Sequence, residues 1–323
     1  MISLTIEEKA DADWNSRLLG SKQGTIYQTK EFSDYLQTAT QEPFFLKFLD
    51  SKGKIVGQLL ISKKIRTKLE KFSKIVGGIK RGKNYVIKWS YGPIIFDETK
   101  SIEIYDKLVE YLKSRNPLVN GTTHPFSPPL SKNFKNFFET KEWCTFILDL
   151  QKNRDEIYKN IDKHSARKNI DRAIKRGVVI EEINDQQNLK EYNDLINEKK
   201  KEMNSAVISL EERKNHFNFL SKVGYRGFLA KLDGSPISGL FFSHFNKYMI
   251  ESGLARSPID YEKKLYSQDL IKWKIIEWGI ENNMNWFDFA GANPNPINQK
   301  EEGILRYKKK WGGKKYVYYL IKK

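Results

Sequence analysis

Two stretches of the chain repeat one pattern of apolar and polar positions. Residues 45–62 and residues 228–243 each start with an apolar run, pass through a Leu-Asp turn that contains Gly, and resume with Ile-x-Gly and a second apolar run. Gly and Asp favour tight turns, and apolar runs on both sides favour extended backbone, so each stretch predicts a β-hairpin. Gly57 and Gly239 fall inside the second strand, where Gly often marks a bulge or a close backbone approach.

An amphipathic helix and a further strand are predicted after each hairpin. Apolar residues at helical spacing predict one helix over residues 101–113 and another over about residues 267–283. Ser267 and Asp269 suit the N-terminus of the second helix, and an apolar strand follows it at residues 286–289.

The repeated order of elements predicts a tandem duplication. The first half closes with an apolar strand at residues 145–150, which places a domain boundary near residue 150. We therefore expect an α/β fold class with mixed sheets, divided into domains at residues 1–150 and 151–323.

A basic helix is predicted to open the second half, at about residues 155–176. Isoleucines at helical spacing can face inward, and His164-Ser165 can divide the segment into two helices. Lys175 and Arg176 suit a helix C-terminus, and Gly177 can end the helix before a strand begins.

Composition and charge narrow the function. Hydrophobic residues make up 39% of the 323 residues and aromatic residues 13%, which is enough for a packed core and excludes disorder for most of the chain. The net charge of +17 is concentrated in residues 54–88, 152–176 and 300–323. Segmental basicity of this kind suggests a surface that meets polyanions such as RNA or anionic lipid headgroups, although a Lys-rich composition also keeps a protein soluble.

Several classes of protein are excluded by what the sequence contains. The single cysteine, Cys144, rules out a disulfide framework and a Cys-based zinc site, and the four histidines show no metal-ligand spacing. No apolar run approaches the roughly 20 residues that span a bilayer, and the first residues do not resemble a signal peptide. We expect a cytoplasmic protein without a metal, and its charge suggests peripheral contact with an anionic membrane surface.

Five short motifs occur in the order found in the FemABX aminoacyltransferases. RKNIDRAIKRGV at residues 167–178 resembles the family's R-x-x-I-x-x-A-x-x-x-G-V signature. IYQT at residues 26–29 resembles its "fQs" segment, and YGPII at residues 91–95 its "rGPv". FDFAG at residues 287–291 and GILRYKKKWGG at residues 303–313 are similar to "fDfgG" and "Gly-rFKkgfGg". The resemblance covers about residues 14 to 323.

The resemblance implies two tandem domains of the GNAT acyltransferase fold and a particular reaction. Members of the family move an aminoacyl group from aminoacyl-tRNA to an amine of a peptidoglycan precursor. The resemblance makes Lys308 the candidate for stabilising the developing negative charge, with Tyr307 in place of the family's Phe. A positioned ammonium suits a tetrahedral oxyanion, and direct transfer needs neither a covalent nucleophile nor a cofactor.

Other residues of the matched motifs are weaker candidates. Asp288 can orient a substrate amine or a lysine, or it can cap the turn that follows it. Asp97 lies just beyond the Gly-Pro motif, where relatives carry a pocket carboxylate, but one residue further along. Arg167 suits either a phosphate contact or a helix-surface charge. Tyr91 and Arg306 belong to matched motifs and are predicted substrate contacts.

Two departures leave the acceptor open. Peptidoglycan-directed members tend to carry a lysine a few residues after the "fQs" segment, where this chain reads FSDYL at residues 32–36. The long helical-hairpin insertion of some members is also absent.

Two alternatives to aminoacyl transfer remain. The first is a CoA-dependent N-acyltransferase, although residues 255–261 lack the glycines with which such enzymes hold the pyrophosphate, and the Gly-containing residues 74–80 lie elsewhere. The second is a protein that binds RNA or an anionic surface without catalysing a reaction.

Overall fold

A computed structural model describes residues 1–65, 85–202 and 204–323. The Gly-containing residues 74–80 and much of the basic window at residues 54–88 lie outside the described residues. The chain forms two compact units, one made of Met1–Trp143 together with Val317–Lys323, the other of Cys144–Tyr316. The sequence predicts a boundary near residue 150, whereas the units divide between Trp143 and Cys144 and the last strand returns to the first unit.

The first unit contains a sheet in which an antiparallel meander leads to a parallel pair. Its strands are β1 (Ser3–Glu7), β2 (Glu42–Leu49), β3 (Ile55–Ile65), β4 (Tyr85–Lys88), β5 (Ile94–Ile95), β6 (Leu118–Thr122) and the C-terminal part of β13 (Lys314–Lys322). Strands β1 to β4 pair antiparallel in chain order, β4 pairs with β6 in parallel, and β6 pairs antiparallel with β13. The hairpin predicted at residues 45–62 is therefore confirmed as β2–β3.

The helices of the first unit pack an apolar face on this sheet. They are α1 (Trp14–Leu19), α2 (Lys30–Thr38), α3 (Ser101–Arg115) and α4 (Lys132–Phe137), with 3-10 turns at Ile26–Gln28 and Glu98–Lys100. Helix α3 is the predicted helix at residues 101–113, and its buried Ile104, Leu108 and Leu112 follow the spacing of one helix face. Asn116 ends it in the left-handed conformation.

The second unit repeats the order of the first. Its strands are β7 (Glu139–Asp149, from Cys144 onwards), β8 (Val179–Glu182), β9 (Tyr225–Leu232), β10 (Ser235–Phe245), β11 (Tyr248–Arg256) and β12 (Trp286–Asp288). Strands β8 to β11 pair antiparallel in chain order, β11 pairs with β12 in parallel, and β12 pairs antiparallel with β7. The second predicted hairpin is confirmed as β9–β10.

Helices also surround the second sheet. They are α5 (Arg154–Asn160), α6 (Lys168–Lys175), α7 (Gln186–Glu202), α8 (Leu210–Leu220), α9 (Pro258–Glu262), α10 (Ser267–Glu281) and α11 (Gln299–Lys309), with a π-helical turn at Lys163–Arg167 and a 3-10 turn at Ser221–Val223. The predicted basic helix is interrupted, as expected, but the break comes at Asp162, whose side chain accepts the backbone N–H groups of His164 and Ser165. Helix α10 matches the predicted helix at residues 267–283 and is buried over most of its surface.

The mixed α/β architecture and the doubling are thus both confirmed. In each unit a four-stranded meander leads through a helix, α3 or α10, to a strand that is parallel to the fourth. The glycine in the second strand of each hairpin allows a close approach of neighbouring groups, as the sequence predicts. A Cβ on Gly239 would lie 2.7 Å from the Tyr192 ring, and one on Gly57 would lie 3.0 Å from the Ile94 carbonyl.

Candidate active site

The strands β11 and β12 part in the second unit, and most of the predicted catalytic residues lie at that point. Their parallel pairing runs from Tyr248 opposite Trp286 to Ile250 opposite Asp288. Strand β12 then ends, whereas β11 continues to Arg256 beside β10. We call this opening, which starts at Glu251 and Phe289, the fork.

Asp288 is completely buried at the base of the fork. Its carboxylate accepts hydrogen bonds from the Thr145 hydroxyl, from the Tyr248 hydroxyl at 2.8 Å and from the backbone N–H of Ala290 at 2.8 Å. Burial raises the pKa of Asp288, and these hydrogen bonds and the Lys308 charge oppose that shift. The carboxylate therefore caps the following turn, which is one of the two roles that the sequence predicts.

Lys308 lies next to this carboxylate rather than in open solvent. The residue is half-buried on α11, and its Nζ donates to the carbonyl oxygens of Phe289 and Ala290, the latter at 3.1 Å. Ala290 has a φ of 59°, in the left-handed region that a non-glycine residue adopts at a cost. The backbone turn that faces the lysine is thus held in one defined shape.

The loop from β12 to α11 is tied to the first turn of that helix. The Glu301 carboxylate accepts from the Asn293 side chain at 2.7 Å and from the Ile297 backbone at 3.0 Å. The Asn298 side chain caps the helix by accepting the Glu301 N–H at 2.9 Å. These bonds fix the distance between the carbonyls and the helix that carries Lys308.

Further charged residues fill the fork, and the sequence does not predict them. Lys272 forms an ion pair with Glu251, and Lys310 forms one with Asp269 at 2.5 Å. The Tyr307 ring lies close to both ammonium groups, 5.1 Å from Lys272 Nζ and 4.2 Å from Lys310 Nζ. The one sequence signal is that Lys272 stands directly between the apolar residues Ile271 and Trp273.

Tyr307 contributes a buried hydroxyl to this cluster. Its ring is half-buried, and the hydroxyl lies close to the Asp269 carboxylate. Burial, first, and then the negative charges of Asp269 and Glu251 raise the pKa of Tyr307 well above its ordinary value. The hydroxyl therefore stays protonated and can donate a hydrogen bond, which the phenylalanine of the resembled motif cannot do.

The other predicted residues of this unit lie on helix surfaces. Arg306 is exposed on α11, one position before Tyr307. Arg167 is half-buried in the π-helical turn, with its guanidinium 6.0 Å from the Tyr158 ring. Their predicted substrate contacts stay predictions.

Tyr91 and Asp97 lie in the first unit, where their surroundings are different. Tyr91 is buried, has a φ of 53°, and stacks on Tyr27 with ring centroids 5.6 Å apart. Asp97 accepts the Thr99 hydroxyl and backbone N–H, which lowers its pKa and starts the Glu98–Lys100 turn. A small cavity of about 120 Å³ lies in this unit beside Tyr27 and Trp89.

A larger cavity lies beside the β7–β12 pair of the second unit. It measures about 310 Å³, and its lining includes Ile147, which is the register partner of Asp288. Trp286 and Tyr316 supply aromatic surface, and exposed Lys152 and Lys314 supply positive charge. Aromatic rings combined with cations are typical of surfaces that bind single-stranded nucleic acids.

Groups for other chemistries are not assembled here. Within the described residues, no three or more His, Cys, Asp or Glu side chains come together in a way that could hold a metal ion. Cys144 is buried against the Ala292 carbonyl, and burial raises the pKa of its thiol, which makes it a poor nucleophile. None of the helices that the structure describes combines the length and apolar character needed to cross a bilayer.

Comparison with known proteins shows that the fold of this chain is similar to that of solved structures. No protein-family model and no curated protein matches the sequence. Among solved structures, the crystal structure of FemX superposes with a TM-score of 0.70 at 14% identity, over 98% of this chain and 96% of that one. The chain shares its fold with FemX. At this identity the likeness shows the fold and not the activity.

Two further solved structures share the architecture over nearly the whole chain. A tandem GNAT protein from the clavulanic acid biosynthesis pathway has a TM-score of 0.56 at 9% identity, over 100% of this chain and 98% of that one. L-PGS from Bacillus licheniformis has a TM-score of 0.54 at 12% identity, over 98% and 93%. The tandem GNAT-type fold that the sequence motifs imply is therefore the fold of this protein.

Proposed function

We propose that the protein is an N-acyltransferase that moves an aminoacyl group from aminoacyl-tRNA to an amine acceptor. One observation supports this most directly: the Lys308 ammonium is held against two backbone carbonyls at the fork, next to a buried carboxylate. The two carbonyls occupy two of its three N–H donors, which leaves the third for a substrate oxygen.

The reaction needs a positioned cation more than it needs a nucleophile. The acceptor amine attacks the ester carbonyl carbon of the donor, so that a C–N bond forms and the carbonyl oxygen becomes an oxyanion. The ammonium of Lys308 stabilises that charge. The carbonyl then re-forms, the C–O bond to the ribose breaks, and the ribose hydroxyl leaves with the proton that the amine has lost.

The positive charge of the second unit supports an RNA donor. Lys159, Lys163, Lys168 and Lys175 are exposed along α5, the π-helical turn and α6. The cavity lined by Trp286, Tyr316, Lys152 and Lys314 adds stacking surface beside the strand pair that carries Asp288. We propose that the acceptor end of the tRNA binds there and that no further cofactor is needed.

The acceptor follows from the sequence resemblance alone. We propose a peptide amine of a peptidoglycan precursor. FSDYL at residues 32–36 contains no lysine for a nucleotide-sugar phosphate. A precursor without a nucleotide, including one carried on an anionic membrane surface, is consistent with this departure.

The direct test is a Lys308→Ala variant with Lys309→Ala as its matched control. Lys309 is exposed on the same helix turn, so its loss changes the net charge equally. We expect Lys308→Ala to lower the rate of transfer from radiolabelled aminoacyl-tRNA on the order of 100-fold with little change in tRNA affinity, and Lys309→Ala to change the rate less than twofold. Equal effects of the two variants would contradict a catalytic Lys308.

An acyl-CoA donor is the second candidate, because the fold is shared with a tandem GNAT protein. One contact argues against it. The N-terminus of a helix binds anions, but at the start of α10 the buried Asp260 carboxylate already accepts the Ser267 N–H at 3.1 Å and pairs with Arg256. A diphosphate approaching this helix end would compete with the Asp260 carboxylate for the Ser267 N–H.

Calorimetry separates the two donors. We expect charged tRNA to bind and CoA at millimolar concentration to give no heat of binding. Saturable binding of CoA, together with acyl transfer from acyl-CoA, would replace the RNA donor with the second candidate.

A further inference from the structure

The ion pair between Lys272 and Glu251 is unusual because it is hidden from solvent. The Lys272 side chain is 1% exposed and that of Glu251 is 11% exposed. Glu251 is the first residue of β11 beyond the strand pairing, and Lys272 reaches it from α10. The pair therefore lies where the fork begins.

Aromatic rings complete the surroundings of this buried ammonium. Its Nζ lies 5.0 Å from the Phe289 ring, 5.1 Å from the Tyr307 ring and 5.9 Å from the Trp311 ring. Phe289 also provides a carbonyl to Lys308, and Tyr307 precedes Lys308 on α11. Lys272 thus contacts both sides of the Lys308 site, the loop through Phe289 and the helix through Tyr307.

The energetics of such a pair suggest a role other than stability. Removing two charges from water costs about as much as their attraction returns, so a buried pair is weak support for the fold. An apolar pair of similar size would fill the same space at least as well. The retained charges therefore call for a function of their own.

Resting on the proposed function, we propose that Lys272 and Glu251 are positioning residues that hold Phe289 and Tyr307 around a buried ammonium and so keep Lys308 at its place in the fork. Lys310, which pairs with Asp269, also lies against the Tyr307 ring, 4.2 Å from its centroid. Neither Lys272 nor Glu251 needs to touch the substrate for this role.

The test compares single variants with a double variant that is free of charge. Lys272→Met leaves Glu251 buried without its partner and is expected to lower the melting temperature. Lys272→Met combined with Glu251→Gln removes both charges at nearly constant volume and is expected to restore most of that stability. Lys274→Met is the matched control, because Lys274 is an exposed lysine on the same helix, 3.9 Å from Glu277.

Two readouts separate positioning from folding. In the double variant we expect kcat to fall at least fivefold with KM unchanged. We also expect the acylation of Lys308 by an amine-reactive reagent, followed by mass spectrometry, to accelerate at least fivefold, while that of exposed Lys309 stays constant. A double variant with the kcat and the Lys308 labelling rate of the wild type would overturn the proposal.

The labelling readout does not depend on the proposed reaction. Faster Lys308 labelling together with an inactive wild-type protein would support the positioning role and reject the proposed function. Should the double variant not fold, Glu251→Gln alone provides the same measurement. Burial already lowers the pKa of Lys272, and without Glu251 the facing groups are Lys308, which lowers that pKa, and Asp269, which raises it.

The Glu251→Gln variant, which loses a group that raises the pKa of Lys272, is therefore expected to show its pH dependence at lower pH than the wild type. As the pH rises through the lowered pKa of Lys272, the ammonium becomes neutral and its attraction for the surrounding rings is lost. We expect kcat to fall and Lys308 labelling to rise over that interval. A pH profile identical to that of the wild type in both measurements would contradict the role of the charge.

Discussion

The two units have the same strand arrangement, but different kinds of side chain fill the place where the parallel strand pair of each unit ends. In the first unit the parallel pair ends with Lys88 opposite Asn120, and the next residues are Trp89 and Gly121. In the second it ends with Ile250 opposite Asp288, and the next residues are Glu251 and Phe289. An indole fills the first opening, whereas buried charges fill the second.

The contrast shows how a duplicated fold can divide its tasks. The Trp89 ring packs on the backbone of Gly121, where a Cβ would lie 2.2 Å from the ring, and its Nε1 donates to the Gly92 carbonyl at 3.1 Å. In this opening an indole takes the place that the buried ion pair takes in the second unit. The equivalent place in the second unit holds Lys308, Asp288 and the Lys272–Glu251 pair, which supports placing the chemistry there.

The largest effect is expected from emptying the first opening. Trp89→Ala removes a buried indole and should lower the free energy of unfolding by about 3–5 kcal/mol, measured by chemical denaturation. In the same assay Gly121→Ala should also destabilise the wild-type protein, since the new methyl collides with the ring. The two changes should not be additive, because the alanine at 121 fits once the indole is gone. Strict additivity would mean that Trp89 and Gly121 do not form the closure described here.

A smaller effect on the free energy of unfolding, with a definite sign, is expected from the Asp288 carboxylate of the second opening. Burial raises the folded-state pKa of Asp288 above its unfolded value, so the folded protein holds this proton more tightly. The resulting stability is fully present below the unfolded pKa and is lost as the pH rises through the folded one. The free energy of unfolding of the wild type, relative to Asp288→Asn, should therefore fall as the pH rises from about 4.

His124 of the first unit provides the opposite sign as a control. Burial lowers its pKa to about 3, so only the unfolded chain takes up this proton at mildly acidic pH. Stability relative to His124→Gln should therefore decrease as the pH falls below about 6.5, by about 1.4 kcal/mol per pH unit. A slope of the same sign for both variants would contradict the opposite pKa shifts of Asp288 and His124.

The smallest effect is expected from a glycine of the second unit. Gly303 lies inside α11 with no atom within 4 Å of the place a Cβ would take. Gly303→Ala should raise the free energy of unfolding by about 0.5–1 kcal/mol, whereas Gly121→Ala lowers it. Thermal denaturation of both variants checks the contrast, and a loss of stability in Gly303→Ala would indicate a contact of α11 that the structure does not contain.

Local patterns made much of the fold predictable from the sequence. The hairpins and the helices at residues 101–115 and 267–281 follow from turn residues and from apolar spacing, which act over a few neighbours. Lys308 was predicted as a site residue only from its motif. The spacing alone gives no such prediction, because a run of three lysines on a helix is typical of a solvated surface. Its contact with the Phe289 and Ala290 carbonyls depends on the return of a loop, which spacing does not encode.

The buried charges were beyond prediction for a different reason. Glu251 lies 21 residues from Lys272 along the chain, and Glu251, Lys272 and Asp269 are each of a residue type that is usually found on a surface. They come together because β11 continues beyond the end of β12 and α10 crosses the fork. Both are properties of the folded sheet. Asp260 at the start of α10 is another example, since its role depends on a helix end seven residues further along.

The last strand gives the first unit an unusual order of assembly. Residues Val317–Lys323 belong to that unit, where β13 pairs with β6 and the Val119 and Lys323 backbones bond each other in both directions. During synthesis on a ribosome, the first unit is therefore incomplete until residues 317–323 are made. These residues follow the end of β6 by almost two hundred codons. A nascent chain would leave β6 with an exposed edge through that interval, open to pairing with another molecule.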